Sequence, residues 1–245
     1  MQKSFKIITG LIFFSFLLVS NMHAQMFSVD NELRKQTNPL ASYIRIGVQP
    51  MDFNYTGAQS ALISPDIADL SYSGLVSQIG FESSGFNLDL LFGDNFTGLE
   101  NRRVFGLSLK FTNPFYLIRR DHFGLGVPIQ LGTELLNVRS DQVNTEFAQT
   151  NLYAGGGLTA ILFYPEKFSI STNIIPSFGF STASGGFIGG DVFSLNSKIR
   201  FNFFNLIFGR NISLGYDYIY DSYDIDGEEF DYDLNGHSIT IGISL

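Results

Sequence analysis

From Ala41 onward, apolar and polar side chains alternate in segments of roughly a dozen residues separated by turn chemistry. The last stretch, Leu234–Leu245, is the clearest. Ile239, Ile241, Ile243 and Leu245 fall on one face, and Ser238, Thr240, Gly242 and Ser244 fall on the other, which is the period of a strand. An oily strand running to the final residue is expected to zip onto the first strand of a closed barrel. The first strand, near Ser42–Tyr55, sets Ile44, Ile46 and Val48 against Tyr43, Arg45, Gly47 and Gln49. A second, Leu70–Glu82, turns through Ser83-Ser84-Gly85 into a third, Phe86–Phe92, an antiparallel hairpin. Phe105, Leu107, Leu109 and Phe111 mark the fourth, and Asn113–His122 reads as the connection to a fifth, Phe123–Val138, with Pro128 expected at a bulge. The sixth, Gln149–Phe163, carries Gly155, Gly156 and Gly157, which leave its facing open. The seventh is Phe168–Ser181, the eighth Asp191–Phe204, the ninth Asn211–Tyr223, and the C-terminal strand is the tenth.

The pattern therefore predicts an all-β fold, a transmembrane antiparallel up-and-down barrel of ten strands. Shorter second and third or sixth and seventh segments would give eight, and a hairpin hidden in Asn113–His122 would give twelve. Longer connections alternate with short ones, so the longer set is expected outside the cell and the short set, with both termini, in the periplasm. Phe115, Tyr116, Phe163, Tyr164, Phe168, Phe203 and Phe204 are expected at the inner interface, and Tyr216, Tyr218, Tyr220 and Tyr223 toward the outer rim.

Ahead of the barrel, residues 1–24 pair Lys3 and Lys6 with an apolar run, Ile7–Val19, that is too short to span a bilayer. This is the pattern of a secretory signal peptide, ending at Ala24. Residues 25–40 form a polar periplasmic lead-in, and 41–245 the barrel. The chain of 245 residues has no cysteine, which excludes disulfides, lipid attachment through a lipobox cysteine and thiolate metal sites. With two lysines and no acid in the signal, the remainder holds 13 basic and 23 acidic residues, a net charge of −10. Such a chain is a poor partner for nucleic acid. Hydrophobic residues make up 44% of the chain, yet beyond the signal no run is long enough for a membrane helix. The apolar content is spread by alternation, as barrels require.

In these features the chain resembles the small outer-membrane β-barrel proteins of Gram-negative bacteria, over Ala41–Leu245 together with the signal. Members usually end on an aromatic residue read by the barrel-assembly machinery, whereas this chain ends Ile243-Ser244-Leu245. The resemblance implies an outer-membrane location, insertion by that machinery, contact with outer-membrane lipid and lipopolysaccharide, and no cofactor.

Strand parity turns Arg45, Lys110, Lys198 and Arg200 inward together with Glu82, Asp89, Glu134 and Asp217. Balanced signs in a narrow barrel predict a cross-bridged, largely plugged lumen. The expected role is structural or surface-interacting, through the extracellular loops; the alternative is a passive small-solute pore. Catalysis is not expected. The mature chain has two histidines, His122 in an inner turn and His237 on the lipid side, so a hydrolase using His237 requires a one-residue shift that turns it toward Ser213 or Asp217. The acidic run Asp217–Asp233 matches a calcium loop poorly. It reads as a solvated hairpin loop, with Asp224, Asp226, Glu228 and Asp233, together with Asp141 and Glu146, as a candidate surface site for divalent cations.

Overall fold

A computed structural model describes residues 41–56, 71–99, 101–140, 146–183, 189–225 and 231–245. The signal peptide, the lead-in, Asp141, Asp226 and Glu228 lie outside them. The strands are β1 (Tyr43–Tyr55), β2 (Tyr72–Ser83), β3 (Phe86–Gly93), β4 (Arg102–Arg120), β5 (Phe123–Ser140), β6 (Glu146–Gly156), β7 (Leu158–Tyr164), β8 (Phe168–Ala183), β9 (Gly190–Ile207), β10 (Arg210–Ile225) and β11 (Tyr232–Ser244). All pairings are antiparallel, and β1 pairs with both β2 and β11, so the sheet closes on itself.

β6 and β7 are one strand with a one-residue break. Ile129↔Gly156 and Gly126↔Thr159 lie in the same register on β5, as do Gly155↔Ser177 and Leu158↔Ile174 on β8. The break falls at Gly157, whose N–H donates to the carbonyl of Pro128 at 3.3 Å. Pro128 has no N–H to return, and on the β8 side Gly156 faces Pro176, which has none either, so a rung is lost on each side and the register survives. The barrel thus has ten strands, as the alternation predicts. The bulge expected at Pro128 is not there: Pro114↔Pro128 pair in register, and the shift between β4 and β5 falls between Tyr116 and Ile118.

Asn113–His122 is not a connection. β4 runs through it to Arg120 and turns at Asp121-His122. β3 ends opposite Phe111, and the Thr112 N–H donates to the Gly85 carbonyl at 3.1 Å. Past that point β4 pairs only with β5 among the described residues. Pro114 occupies this free edge, where a missing donor is tolerated, and Arg119-Arg120 end it. The segment expected to turn at Asn205–Arg210 likewise stays in the strand to Ile207, with Asn205 at positive φ (51°), then turns at Phe208-Gly209, both at positive φ (49° and 73°).

Following hydrogen-bonded neighbours from Tyr43 through Glu82, Asn87, Lys110, Gly132, Tyr153, Gly179, Val192, Tyr223 and Tyr232 returns to β1 at Tyr55, a stagger of 12 residues (55 − 43). Ten strands with that stagger tilt by about 40° and enclose a backbone cylinder of roughly 10 Å radius. Outward positions form an apolar belt, including Ile44, Ile46 and Val48 on β1, Ile129, Leu131 and Leu135 on β5, and Ile239, Ile241 and Ile243 on β11. From Phe123 to Leu135 the belt is about 30 Å tall at this tilt, a bilayer's hydrocarbon thickness.

The closing seam has one weak rung. Thr56 N donates to Asp231 O and Leu245 N to Ser42 O, at 2.8 and 2.9 Å; by the two-residue repeat of the ladder, Pro50 and His237 face each other as a bonded pair. The ladder skips that pair and the adjacent Gln49–Ser238, because Pro50 offers no hydrogen. Pro50→Val is expected to restore the rung, adding about 0.5–1.5 kcal/mol to the unfolding free energy and raising the urea midpoint of the barrel in vesicles; an unchanged or lower midpoint would count against a seam limited by this rung.

Candidate functional site

The interior is built in three layers, each joining opposite walls. Nearest the end that carries the short turns and the C-terminus, Glu82 on β2 meets two guanidinium groups. Its Oε2 lies 2.7 Å from Arg45 Nε on β1 and accepts from Arg200 Nε on β9 at 2.9 Å. Arg200 also donates from Nη1 and Nη2 to Asp217 Oδ1 and Oδ2, at 2.6 and 3.0 Å, and Arg45 Nη2 donates to Ser213 Oγ at 2.8 Å. The alternation aims these chains inward, and Gly215 on β10 leaves the space over which the Arg200 guanidinium lies. Lys198, beside Arg200 on β9, sits against the Asn87 amide when its oxygen is turned toward Nζ.

In the middle layer, Lys110 on β4 reaches across the lumen. Its Nζ lies 2.8 Å from Glu134 Oε1 and donates to Asn196 Oδ1 on β9 at 2.7 Å. Ser108 Oγ and Tyr153 OH also donate to Glu134 Oε1, each at 2.9 Å. Asp89 accepts from Gln78 Nε2 at 3.0 Å, and the Ser238 hydroxyl donates to Gln78 Oε1. Each charge in these two layers thus meets an opposite charge or a fixed dipole, the condition under which ions persist away from bulk water.

The third layer, at the end carrying the longer loops, is apolar. The Phe53 ring on β1 lies 5.6 Å from Tyr72, 4.8 Å from Tyr232 and, across the barrel, 5.3 Å from Phe147 on β6. Met51, Val76, Val104, Leu136, Val138, Val192, Tyr223 and Leu234 complete the cluster. The Asp94–Gly98 turn, with Asp94 Oδ1 accepting from Phe96 N at 2.7 Å, sends Leu99 down into the mouth, where it is 3% exposed. Gly74 and Gly93 leave room for it. The inward face is therefore polar over only part of its height. Its signal was parity itself: Met51 and Phe53 continue the face of Arg45, and Tyr232 and Leu234 that of Ser238.

The eight inward charges read from the sequence, Arg45, Glu82, Asp89, Lys110, Glu134, Lys198, Arg200 and Asp217, all lie on the inner face in these layers. Asp221 shares the parity of Asp217 and is a ninth, 2% exposed. Tyr223 and Phe204, expected at the interfaces, point inward and are buried. His237 faces outward: its Nδ1 is 2.8 Å from Tyr216 OH and its ring centroid 5.1 Å from that of Tyr218. Asp217, the partner a shifted His237 would need, is held by Arg200. His122 lies in the β4–β5 turn with Nδ1 3.1 Å from the Phe163 carbonyl. Of the acidic-loop candidates, Asp224 is exposed and Asp233 accepts from Tyr220 OH at 3.3 Å. No group of three or more potential metal ligands occurs among the described residues.

Among solved structures the chain is similar to the outer membrane protease OmpT from Escherichia coli, at 8% identity over 86% of this chain and 98% of that one, with a TM-score of 0.41. It is also similar to Neisserial surface protein A, at 10% identity, 83% and 97% coverage and a TM-score of 0.35. A third is Ail, the attachment invasion locus protein of Yersinia pestis, at 13% identity, 84% and 99% coverage and a TM-score of 0.28. No family model and no curated protein matches the sequence.

Glu82→Gln leaves two buried guanidinium groups with one remaining carboxylate, Asp217, between them. The expected loss is about 3–5 kcal/mol of unfolding free energy in vesicles. Arg45→Met, which leaves Glu82 paired with Arg200, is expected to cost less. Equal losses would show that Glu82 does not organise the layer.

Proposed function

We propose that this chain is an integral outer-membrane protein whose barrel is a closed rod, and that its role is structural or surface-interacting, through the loops at its wider-looped end. The observation that carries this reading is the set of contacts across the lumen: Phe53 to Phe147, Lys110 to Asn196 and Arg200 to Glu82 each join strands on opposite sides. In a cylinder of roughly 10 Å radius, two inward side chains meeting end to end leave no aqueous path. The apolar belt and the pairing of β1 with β11 favour a bilayer, since closure joins the first and last strands instead of leaving them as open edges.

On this reading the chain is exported by its signal, is inserted by the barrel-assembly machinery and keeps both termini in the periplasm. Outer-membrane lipid and lipopolysaccharide contact the belt, and the acidic loop around Asp224 and Asp233 offers carboxylates to divalent cations. A non-catalytic role is supported by the histidines, neither of which faces a carboxylate or a nucleophilic hydroxyl in the lumen.

The test is conductance of the refolded mature protein in a planar bilayer, with Arg45→Ala and Lys198→Ala alongside. A silent bilayer with the protein inserted and heat-modifiable on a gel is the expected result. Steady conductance steps whose ion selectivity changes in the variants would replace the closed rod by a small-solute pore.

A further inference from the structure

The apolar belt is not equally tall around the barrel. On β5 it runs from Phe123 to Leu135 and on β8 from Phe168 to Phe180, 12 residues each (135 − 123 and 180 − 168), about 30 Å of height at the strand tilt. On β2 it runs only from Leu75 to Phe81 and on β3 from Phe86 to Phe92, 6 residues each (81 − 75 and 92 − 86), about 15 Å. With the stagger shared over the ten strands, the upper ends Leu75, Phe92, Leu135 and Phe180 fall within about 3 Å of one height. The whole difference therefore lies at the short-turn end.

Its cause is the β2–β3 hairpin, which turns at Ser84-Gly85. Beside it β4 continues 9 residues past its last β3 partner, from Phe111 to Arg120 (120 − 111). Below Phe81 and Phe111 the outward positions become Ser83 and Asn113, at a depth where the taller wall still presents Val127 and Leu158. The edge of β4 is open on this side. The Pro128 carbonyl accepts from Gly157 on the β6 side, so its ladder partner Pro114 turns its carbonyl away from β5, and Tyr116, two residues on, turns its N–H the same way. No other strand among the described residues lies beside them. In hydrocarbon such groups find no partner. At the foot of the edge Arg119 and Arg120 are exposed, the Arg119 guanidinium 6.0 Å from the Tyr116 ring centre.

We propose that the β2–β3 face thins the bilayer. Phospholipid headgroups of the leaflet at the short-turn end are drawn in toward the β2–β3 turn, where their phosphates meet Arg119 and Arg120 and their water of hydration serves the open β4 edge. A belt shorter than the hydrocarbon pulls the lipid surface toward itself, because the alternative sets acyl chains against Ser83 and bare amide groups. The inference rests on the bilayer location proposed above.

The chain has no cysteine, so one introduced cysteine can carry a nitroxide whose depth is read from its collisions with oxygen and with a water-soluble nickel chelate. The host is the refolded, heat-modifiable barrel in phosphatidylcholine vesicles. In a flat bilayer a label at Ser84→Cys lies about 10 Å deeper than one at Lys167→Cys, in the turn before β8. Thinning is expected to bring both to headgroup depth, within about 3 Å of each other. Labels at Leu75→Cys and Phe180→Cys, at the upper ends of the two faces, should read equal depths. With Arg119→Gln and Arg120→Gln combined, the Ser84 label should move toward the hydrocarbon by about 3 Å or more. A Ser84 label that keeps the full depth difference, or that ignores the two arginines, would overturn the proposal. Unequal depths at Leu75 and Phe180 would overturn it in favour of a rigid tilt of the barrel, and a Ser84 label shielded from both reagents in favour of polypeptide against this face. A label at Ile174→Cys, midway up the tall face, reads separately whether the barrel is inserted: an aqueous signal there removes the bilayer reading itself.

Discussion

Closure of the hydrogen-bond ladder is the constraint on which the rest of the structure depends. In hydrocarbon an unpaired backbone amide has no water to fall back on, so β1 must meet β11 along its length. The stagger at which they meet fixes the strand tilt, the tilt fixes the radius, and the radius fixes how far an inward side chain must reach. Lys110 and Arg200 have the length to cross, and Gly215 supplies the floor over which Arg200 lies. Several interruptions of the ladder sit where proline removes a donor. Pro128 costs the rung to Gly157, Pro50 the rung to His237, and Pro114 costs none because its edge is already free.

Within that frame the interior sorts by chemistry along the barrel. Ion pairs occupy the short-turn and middle thirds, and aromatic rings fill the end beneath the longer loops. This order has a physical logic. Charges held by several partners at once tolerate a water-poor site, while stacked rings such as Phe53 and Tyr232 exclude water by area alone and need no partner of opposite sign. The mouth is then sealed by Leu99 from a loop, so the closure at that end combines strand and loop.

Much of this was legible in the sequence. Strict alternation on the first, fourth and last strands gave the fold class, the strand number and the inward face, since a two-residue period leaves no ambiguity about facing. What stayed hidden has separate causes. Asn113-Pro114 looks like a turn because proline and asparagine punctuate chains; only the neighbouring hairpin, ending early at Gly85, makes proline harmless there. The break at Gly157 depends on a proline in the adjacent strand, which a single strand's pattern does not reveal. The apolar mouth was missed because polar residues were equated with the inward face along the whole barrel, although Met51, Phe53 and Leu234 keep the parity of inward positions. Asp221 lies inside the expected ninth strand, Asn211–Tyr223, with the parity of Asp217; reading the acidic run Asp217–Asp233 as one solvated loop hid it.

The ion pairs also bear on how the chain reaches this state. Arg200 and Glu82 are 118 residues apart, and Arg45 and Ser213 are 168 apart. No local hairpin unites them. Glu82 therefore has one guanidinium on its sheet neighbour β1 and the other on β9, late in the chain. Loop-closure entropy must be met before that contact forms, which makes folding slow. The same connectivity makes the finished barrel hard to take apart piecemeal, because peeling β9 or β10 from either side strands a buried charge. Unfolding is thereby confined to a concerted opening, and persistence in the membrane becomes a property of the barrier as much as of the equilibrium.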